Sequence, residues 1–242
     1  MCRFNNAVNP ESKPTGLPEP GVTAAVELAG PAGRLQALLA VPRGSLKGIA
    51  VICHPHPLYG GAMTNKVVHT LASCALKSDL CALRFNFRGV GDSAGRYDSA
   101  RGETDDTLAA VTWLRAKFPD QPLLLAGFSF GAYVALKAAT QARPAWLVSV
   151  SVPLGRIRGL SGKSENEALP EQPDCPWLAV HSRDDEVVDY DETQRLLAGY
   201  RPPPQLETMQ GAGHFYHGRL GDLQRVVLAF LQAQVLIEGG AT

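Results

Sequence analysis

Ser129, Asp185 and His214 are the residues whose types and order along this chain could carry nucleophilic chemistry. A serine hydroxyl is a weak nucleophile at neutral pH. It needs a neutral imidazole to take its proton and a carboxylate to hold that imidazole in the correct tautomer. Ser129 sits in Gly127-Phe128-Ser129-Phe130-Gly131, after the apolar run Leu123 to Ala126 and before Tyr133, Val134, Leu136 and Ala139 at helical spacing. A buried strand that turns at once into a helix leaves no room for side chains two before and two after the turn residue. Both positions become glycine, and the serine is held in a strained turn at the helix N-terminus. The plainer alternative is an ordinary Gly/Ser strand-to-helix connection.

In this arrangement the acid follows the serine in the chain and the histidine comes last. The segment His181-Ser-Arg-Asp184-Asp185-Glu186 follows a later apolar run and supplies the acid, with Asp185 the first choice, Asp184 the second and Asp189 a distant third. The segment Gly211-Ala-Gly-His214-Phe-Tyr-His217 precedes the last helical pattern and supplies the base, with His217 as fallback. Stabilising a tetrahedral oxyanion takes two backbone N–H donors. One is that of Phe130, at a helix N-terminus. The other should come from the loop His54-Pro55-His56-Pro57-Leu58-Tyr59. Proline has no N–H, so His56 is the best candidate, with Leu58 or Tyr59 behind it. A metal-binding role for His54 and His56 lacks a third ligand at suitable spacing, and His54 reads as a brace for its loop. No metal and no cofactor is expected.

The elements that must position these residues can be read from apolar patterning. Thr23–Leu28 and Gly33–Val41 partly alternate around Gly30-Pro-Ala-Gly33, which suits an antiparallel hairpin at a sheet edge. Gly48–Cys53, Cys81–Phe87, Leu123–Ala126, Trp146–Val152, Pro176–His181 and Leu206–Met209 read as further strands. Helices are expected over about Asn65–Lys77, Thr104–Phe118, Asp189–Ala198 and Leu220–Ile237, and one after Gly131. Strands alternating with helices give an α/β protein, a mostly parallel sheet covered on both faces. Chemistry then collects outside the carboxyl ends of the strands, which is where all the candidates fall.

The 242 residues carry 45% apolar side chains and zero formal net charge. That balance gives no footprint for nucleic acid or for an anionic membrane surface. There is no apolar run of the ~18 residues that would span a bilayer, and no secretory pattern. The five cysteines lack C-x-x-C spacing and suit reduced thiols in a cytoplasmic protein. Residues 1–20, with four prolines among polar residues, are expected to form a flexible tail, and residues 21–242 one domain.

These motifs carry a resemblance. From about Val22 to Ile237 the chain is similar to serine hydrolases of the α/β-hydrolase fold. His54-Pro-His-Pro57 stands where that family often has H-G-x-P, and Asn86-Phe-Arg-Gly-Val-Gly-Asp-Ser93 where it often has D-x-R-G-x-G-x-S. Gly127-Phe-Ser-Phe-Gly131, His181-Ser-Arg-Asp-Asp185 and Gly213-His214 match the remaining motifs, with Pro55 and Ser182 replacing usual glycines. More narrowly, H-P-H-P-x-x-G-G and G-F-S-F-G-A resemble small lidless bacterial hydrolases of the dienelactone-hydrolase and esterase type. The resemblance implies Ser129 as nucleophile, Asp185 as acid and His214 as base, on an α/β-hydrolase fold without a cap domain.

The span from Val152 to Pro176, roughly twenty residues, is too short for a separate cap. An open, shallow site is expected, suited to small-molecule esters with short acyl chains. Its walls are expected from Leu58, Tyr59, Phe128, Phe130, Leu154 and Phe215. Thioester, lactone and peptide or amide cleavage use the same residues. Gly89-x-Gly91-x-x-x-Gly95 invites a dinucleotide site, but Arg96-Tyr-Asp-Ser-Ala follows it where a helix would have to begin. A non-catalytic binding module does not require Ser, Asp and His at these three points. The chain is expected to be a monomer, or a homodimer through the hairpin edge.

Overall fold

The structure is a computed structural model that describes residues 17–155 and 169–239. Most of the expected N-terminal tail, Cys2 and residues 156–168 therefore lie outside the described residues. Eight strands form one sheet: β1 (Thr23–Gly30), β2 (Gly33–Ala40), β3 (Gly48–Cys53), β4 (Leu80–Phe85), β5 (Leu123–Phe128), β6 (Trp146–Val150), β7 (Trp177–Ser182) and β8 (Gln205–Met209). Their spatial order is β1-β2-β4-β3-β5-β6-β7-β8. The β1–β2 hairpin lies at one edge and runs antiparallel to its neighbours, and all other pairs are parallel.

The apolar runs are strands buried on both faces, and their alternation divides the core in two. Ile49, Val51, Leu123 and Leu125 join one cluster, under α2 (Arg101–Lys117) and α3 (Phe130–Ala142). Ala50, Ile52, Leu124, Ala126 and Phe128 join the other, under α1 (Lys66–Lys77) and α5 (Leu220–Gly239). A period of two sends successive side chains to opposite faces, so continuous hydrophobicity is what a sheet covered by helices on both sides demands. Among the described residues, no helix is long and apolar enough to cross a membrane. Cys53, Cys74 and Cys81 are free and buried.

Several boundaries differ from the sequence expectation, among them the ends of β4 and β6 and the start of α2. β4 stops at Phe85 rather than Phe87 because the next residues leave the ladder, the Asn86 side chain bonding Met63 and Gln36 and the Phe87 N–H donating to His54. β6 stops at Val150 because Ser151 takes a left-handed conformation, φ 48°. α2 starts at Arg101, not Thr104. Its first turn is held by Asp98, whose carboxylate accepts the Gly102 N–H, while Glu103 reaches back to accept the Asp98 N–H. By contrast α1 and α4 (Tyr190–Leu197) start where their Asx caps sit, with Asn65 accepting from Val67 and Asp189 from Glu192.

The junction of β5 and α3 sets the close approaches on which the site depends. A Cβ at Gly127 would lie 2.2 Å from the Gly131 carbonyl oxygen, and one at Gly131 would lie 2.4 Å from the carbonyl oxygens of both Cys53 and His54. These are backbone atoms and cannot swing aside. Gly127→Ala and Gly131→Ala are each expected to cost about 2 kcal/mol or more in urea unfolding. Gly221→Ala in α5, where a Cβ meets nothing within 4 Å, is expected to be neutral or to stabilise by up to about 1 kcal/mol. Equal effects at the three positions would contradict this reading of the turn.

Candidate active site

Ser129 is the N-cap residue of α3, with φ 53° and ψ −123°. That is a costly conformation for a residue with a side chain. It is over-determined by the glycines on either side and by the bond from the Ser129 N–H to the Val150 carbonyl, 2.8 Å. The strain presents the hydroxyl above the carboxyl ends of the strands. His214 Nε2 lies 3.1 Å from Ser129 Oγ. On the other side of the ring, Nδ1 lies 3.0 and 2.9 Å from the two Asp185 oxygens. Facing a carboxylate, Nδ1 carries the proton, which leaves Nε2 as the acceptor for the serine hydroxyl. Asp185 is 4% exposed and His214 3%. Burial pushes the Asp185 carboxyl up, but the bond to His214, the electrostatic attraction of that ring and the N–H groups of Val188 and Val187 outweigh it and hold the group below the usual range.

Three consecutive acids grip the histidine loop, and each does something different. Asp184, the second choice for the acid, accepts the N–H groups of Gly211 (2.8 Å) and Gly213 (3.2 Å). Asp185 takes the ring. Glu186 accepts the His214 N–H at 2.9 Å. Asp189, the third choice, caps α4, accepting the Glu192 N–H. His217, the fallback base, stacks on Phe215 at 5.9 Å instead. The roles of Asp184 and Glu186 escaped the sequence reading. The available signal was a run of three acids facing a Gly-x-Gly loop whose backbone donors need acceptors.

Around the serine, the Phe130 N–H lies in the first turn of α3 and has no intrahelical acceptor. The loop from His54 closes on itself, with Tyr59 and Gly61 donating to the His56 carbonyl and Leu58 donating to His56 Nδ1. Those bonds occupy the N–H groups of Leu58 and Tyr59, the two reserve oxyanion donors. The His56 N–H takes part in no hydrogen bond among the described residues. The His56 ring packs 4.8 Å from the Phe130 ring and bonds Tyr97 Oη at 3.2 Å.

His54 braces the whole corner. Its Nε2 accepts the Phe87 N–H at 3.0 Å and its Nδ1 faces the Pro55 carbonyl at 2.6 Å. Both nitrogens are used by backbone, which leaves none for a metal. Burial lowers the His54 pKa to about 4 against the pull of the Pro55 carbonyl, with His56 lowering it further. Among the described residues, no group of three metal-ligating side chains is present.

The expected pocket walls divide. Leu58 and Tyr59 are each 67% exposed and Phe215 46%, on the two loops that flank Ser129 and His214. Phe128 and Leu154 belong to the core instead. Phe128 is fully buried beneath the imidazole, ring centres 5.1 Å apart, because its place at the end of β5 points it to the α1/α5 side. Leu154 packs into the opposite cluster, and Phe130 is only 8% exposed. A groove of about 270 Å³ lies between the Gly60–Val67 segment and the Phe215/His217 pair, and Ser129 is not among the residues that line it.

Residues 51–150 match the model of a family described as having the alpha/beta hydrolase fold. The chain is 37% identical to an α/β serine hydrolase without a lid from Xanthomonas campestris, with a TM-score of 0.78, covering 91% of this chain and 96% of that one. It is 39% identical to an α/β serine hydrolase homologue from Coxiella burnetii, with a TM-score of 0.79 and 86% and 97% coverage. An uncharacterised protein of Rickettsia prowazekii is 31% identical over 84% of this chain and 86% of its own length.

The His54 brace makes a pH prediction. In the unfolded chain the imidazole titrates near 6.5, and in the fold near 4. Between those values the unfolded state binds more protons, so stability rises with pH. The contribution is complete above pH 6.5 and falls away as pH drops toward 4, a loss of about 3 kcal/mol. Urea unfolding at pH 7, 5.5 and 4 should show that slope, and His54→Asn should be less stable at pH 7 with a shallower slope. Parallel pH profiles for the two proteins would count against it.

Proposed function

This chain belongs to the α/β-hydrolase fold family, and from that premise we propose that it is a serine hydrolase cleaving small or short-chain carboxylic esters through an acyl-enzyme on Ser129. The observation that carries the reading is the unbroken line from Ser129 Oγ through the His214 ring to the Asp185 carboxylate, 3.1 Å and 2.9 Å at its two joints.

In this reading His214 Nε2 takes the hydroxyl proton as Oγ attacks the ester carbonyl, and Asp185 stabilises the imidazolium that results. Charge then develops on the former carbonyl oxygen, where the N–H groups of Phe130 and His56 would receive it. As the tetrahedral intermediate collapses, Nε2–H protonates the departing alcohol and the acyl group stays on Oγ. Water then attacks the acyl carbon while giving a proton to Nε2, and Nε2–H returns that proton to Oγ as the acid leaves. No cofactor is needed at any step. Thioesters, lactones and amides would pass through the same acyl-enzyme. The exposed Leu58, Tyr59 and Phe215 offer open apolar surface rather than a tunnel, which favours short acyl groups over long lipid chains.

Hydrolysis of p-nitrophenyl acetate, butyrate and octanoate tests this. Acetate and butyrate are expected to turn over with higher kcat/KM than octanoate. Ser129→Ala should lose roughly 10⁴- to 10⁶-fold in kcat, and Asp185→Asn about 10⁴-fold. A wild type no faster than Ser129→Ala on any of the esters would turn the reading toward a binding module on a hydrolase fold.

A further inference from the structure

One buried side chain beside the site has no part in the steps above. His181, in β7, is 1% exposed. Its Nε2 lies 3.5 Å from Asp185 Oδ2 and 3.3 Å from the Val188 carbonyl. Its Nδ1 is buried and has no hydrogen-bond partner among the described residues. A buried nitrogen without a partner costs stability, and an apolar side chain of similar size would avoid that cost. Rules of local consistency are broken this way chiefly where a side chain serves the site.

What His181 touches indicates the service. Asp185 Oδ1 is fixed by the N–H groups of Val187 and Val188, at 2.9 and 2.8 Å. Oδ2 has His214 on one side and His181 on the other. We propose that His181 is a positioning residue, its Nε2–H lying between the Val188 carbonyl and Oδ2 of Asp185 and steadying that oxygen, so that one carboxylate is shared between two imidazoles. The proposal rests on the serine-hydrolase reading for its kinetic consequence, but not for its electrostatic one.

Nε2 has acceptors and Nδ1 has none among the described residues, so the ring is best held with one proton, on Nε2, and neutral. Burial favours that state, lowering its pKa against the opposing pull of Asp185 and the Val188 carbonyl, with His214 lowering it further and Asp189 raising it. On its flank the Tyr190 ring of α4 stands edge-on at 5.7 Å. Around His214 the facing groups are Asp185 and Glu186 of the acid loop and Ser129 of the elbow. Removing the His181 donor leaves more of the Oδ2 charge for His214, which favours the imidazolium.

The test is an NMR titration of the His214 ring in wild type, His181→Leu and His181→Gln, alongside kcat on p-nitrophenyl butyrate. His181→Leu should raise the His214 midpoint by about half to one pH unit. It should lower kcat about tenfold with KM within about twofold. Glutamine can place an N–H where Nε2 stands, and should restore most of both. Should the leucine variant not fold, His181→Phe replaces it with the same expectations. A His214 midpoint and kcat unmoved by loss of the donor would overturn the proposal, as would a folded glutamine variant as defective as leucine. If the wild type proves inert on esters, the serine-hydrolase reading falls, and the titration still decides whether His181 acts on the carboxylate.

Discussion

The site depends on one close approach of backbone to backbone. β5 runs into α3 so tightly that the Gly131 carbonyl occupies the space a Cβ at Gly127 would need, and the Cys53 and His54 carbonyls occupy that of Gly131. This contact holds Ser129 at φ 53°. It also brings the end of β3, and the loop that follows, against the first turn of α3. The hydroxyl, the N-terminal donors of the helix and the His54–Gly61 loop are therefore placed by the same packing event. None of them can be shifted alone, and strain at one residue is carried by the whole sheet.

The second arm of the site is built from charge satisfaction instead of steric exclusion. The histidine loop is short and carries Gly211, Gly213 and Tyr216 at positive φ. Ala212 and Tyr216 anchor it in the core cluster under α1 and α5. Its backbone donors are met by Asp184 and Glu186, and its ring by Asp185, so the loop after β7 and the loop after β8 form one hydrogen-bonded unit. The neighbouring Tyr216 hydroxyl reaches Ser151 Oγ, and its ring lies against Phe128. The imidazole therefore has an acid at its Nδ1 edge and an aromatic ring beneath it. That preorganisation limits the reorientation of dipoles needed when charge moves.

Much of this was legible in the sequence because it rests on local rules. Two glycines spaced around a serine, continuous apolar strands and Asx residues before α1 and α4 each announce themselves within a few positions. Ser129, Asp185 and His214 could be picked by order along the chain, and they converge in space. What escaped is set by partners distant in sequence. The end of β4 depends on His54, some thirty residues earlier. Phe128 could not be told apart from a pocket wall, because only the tertiary arrangement shows His214 lying over its ring. Glu186 was not singled out, since the amide it meets lies on another loop. His181 read as a motif position, since its role is visible only beside Oδ2 of Asp185.

The central claim is that the turn at Ser129 makes that hydroxyl, and no other, the nucleophile. The most direct measurement is to treat the protein with a fluorophosphonate and locate the adduct by peptide mass spectrometry. The account predicts one label per chain, on the peptide that spans Gly127 to Gly131, with labelling strongly slowed in His214→Ala. An unlabelled protein, or a label on any other residue, would contradict it.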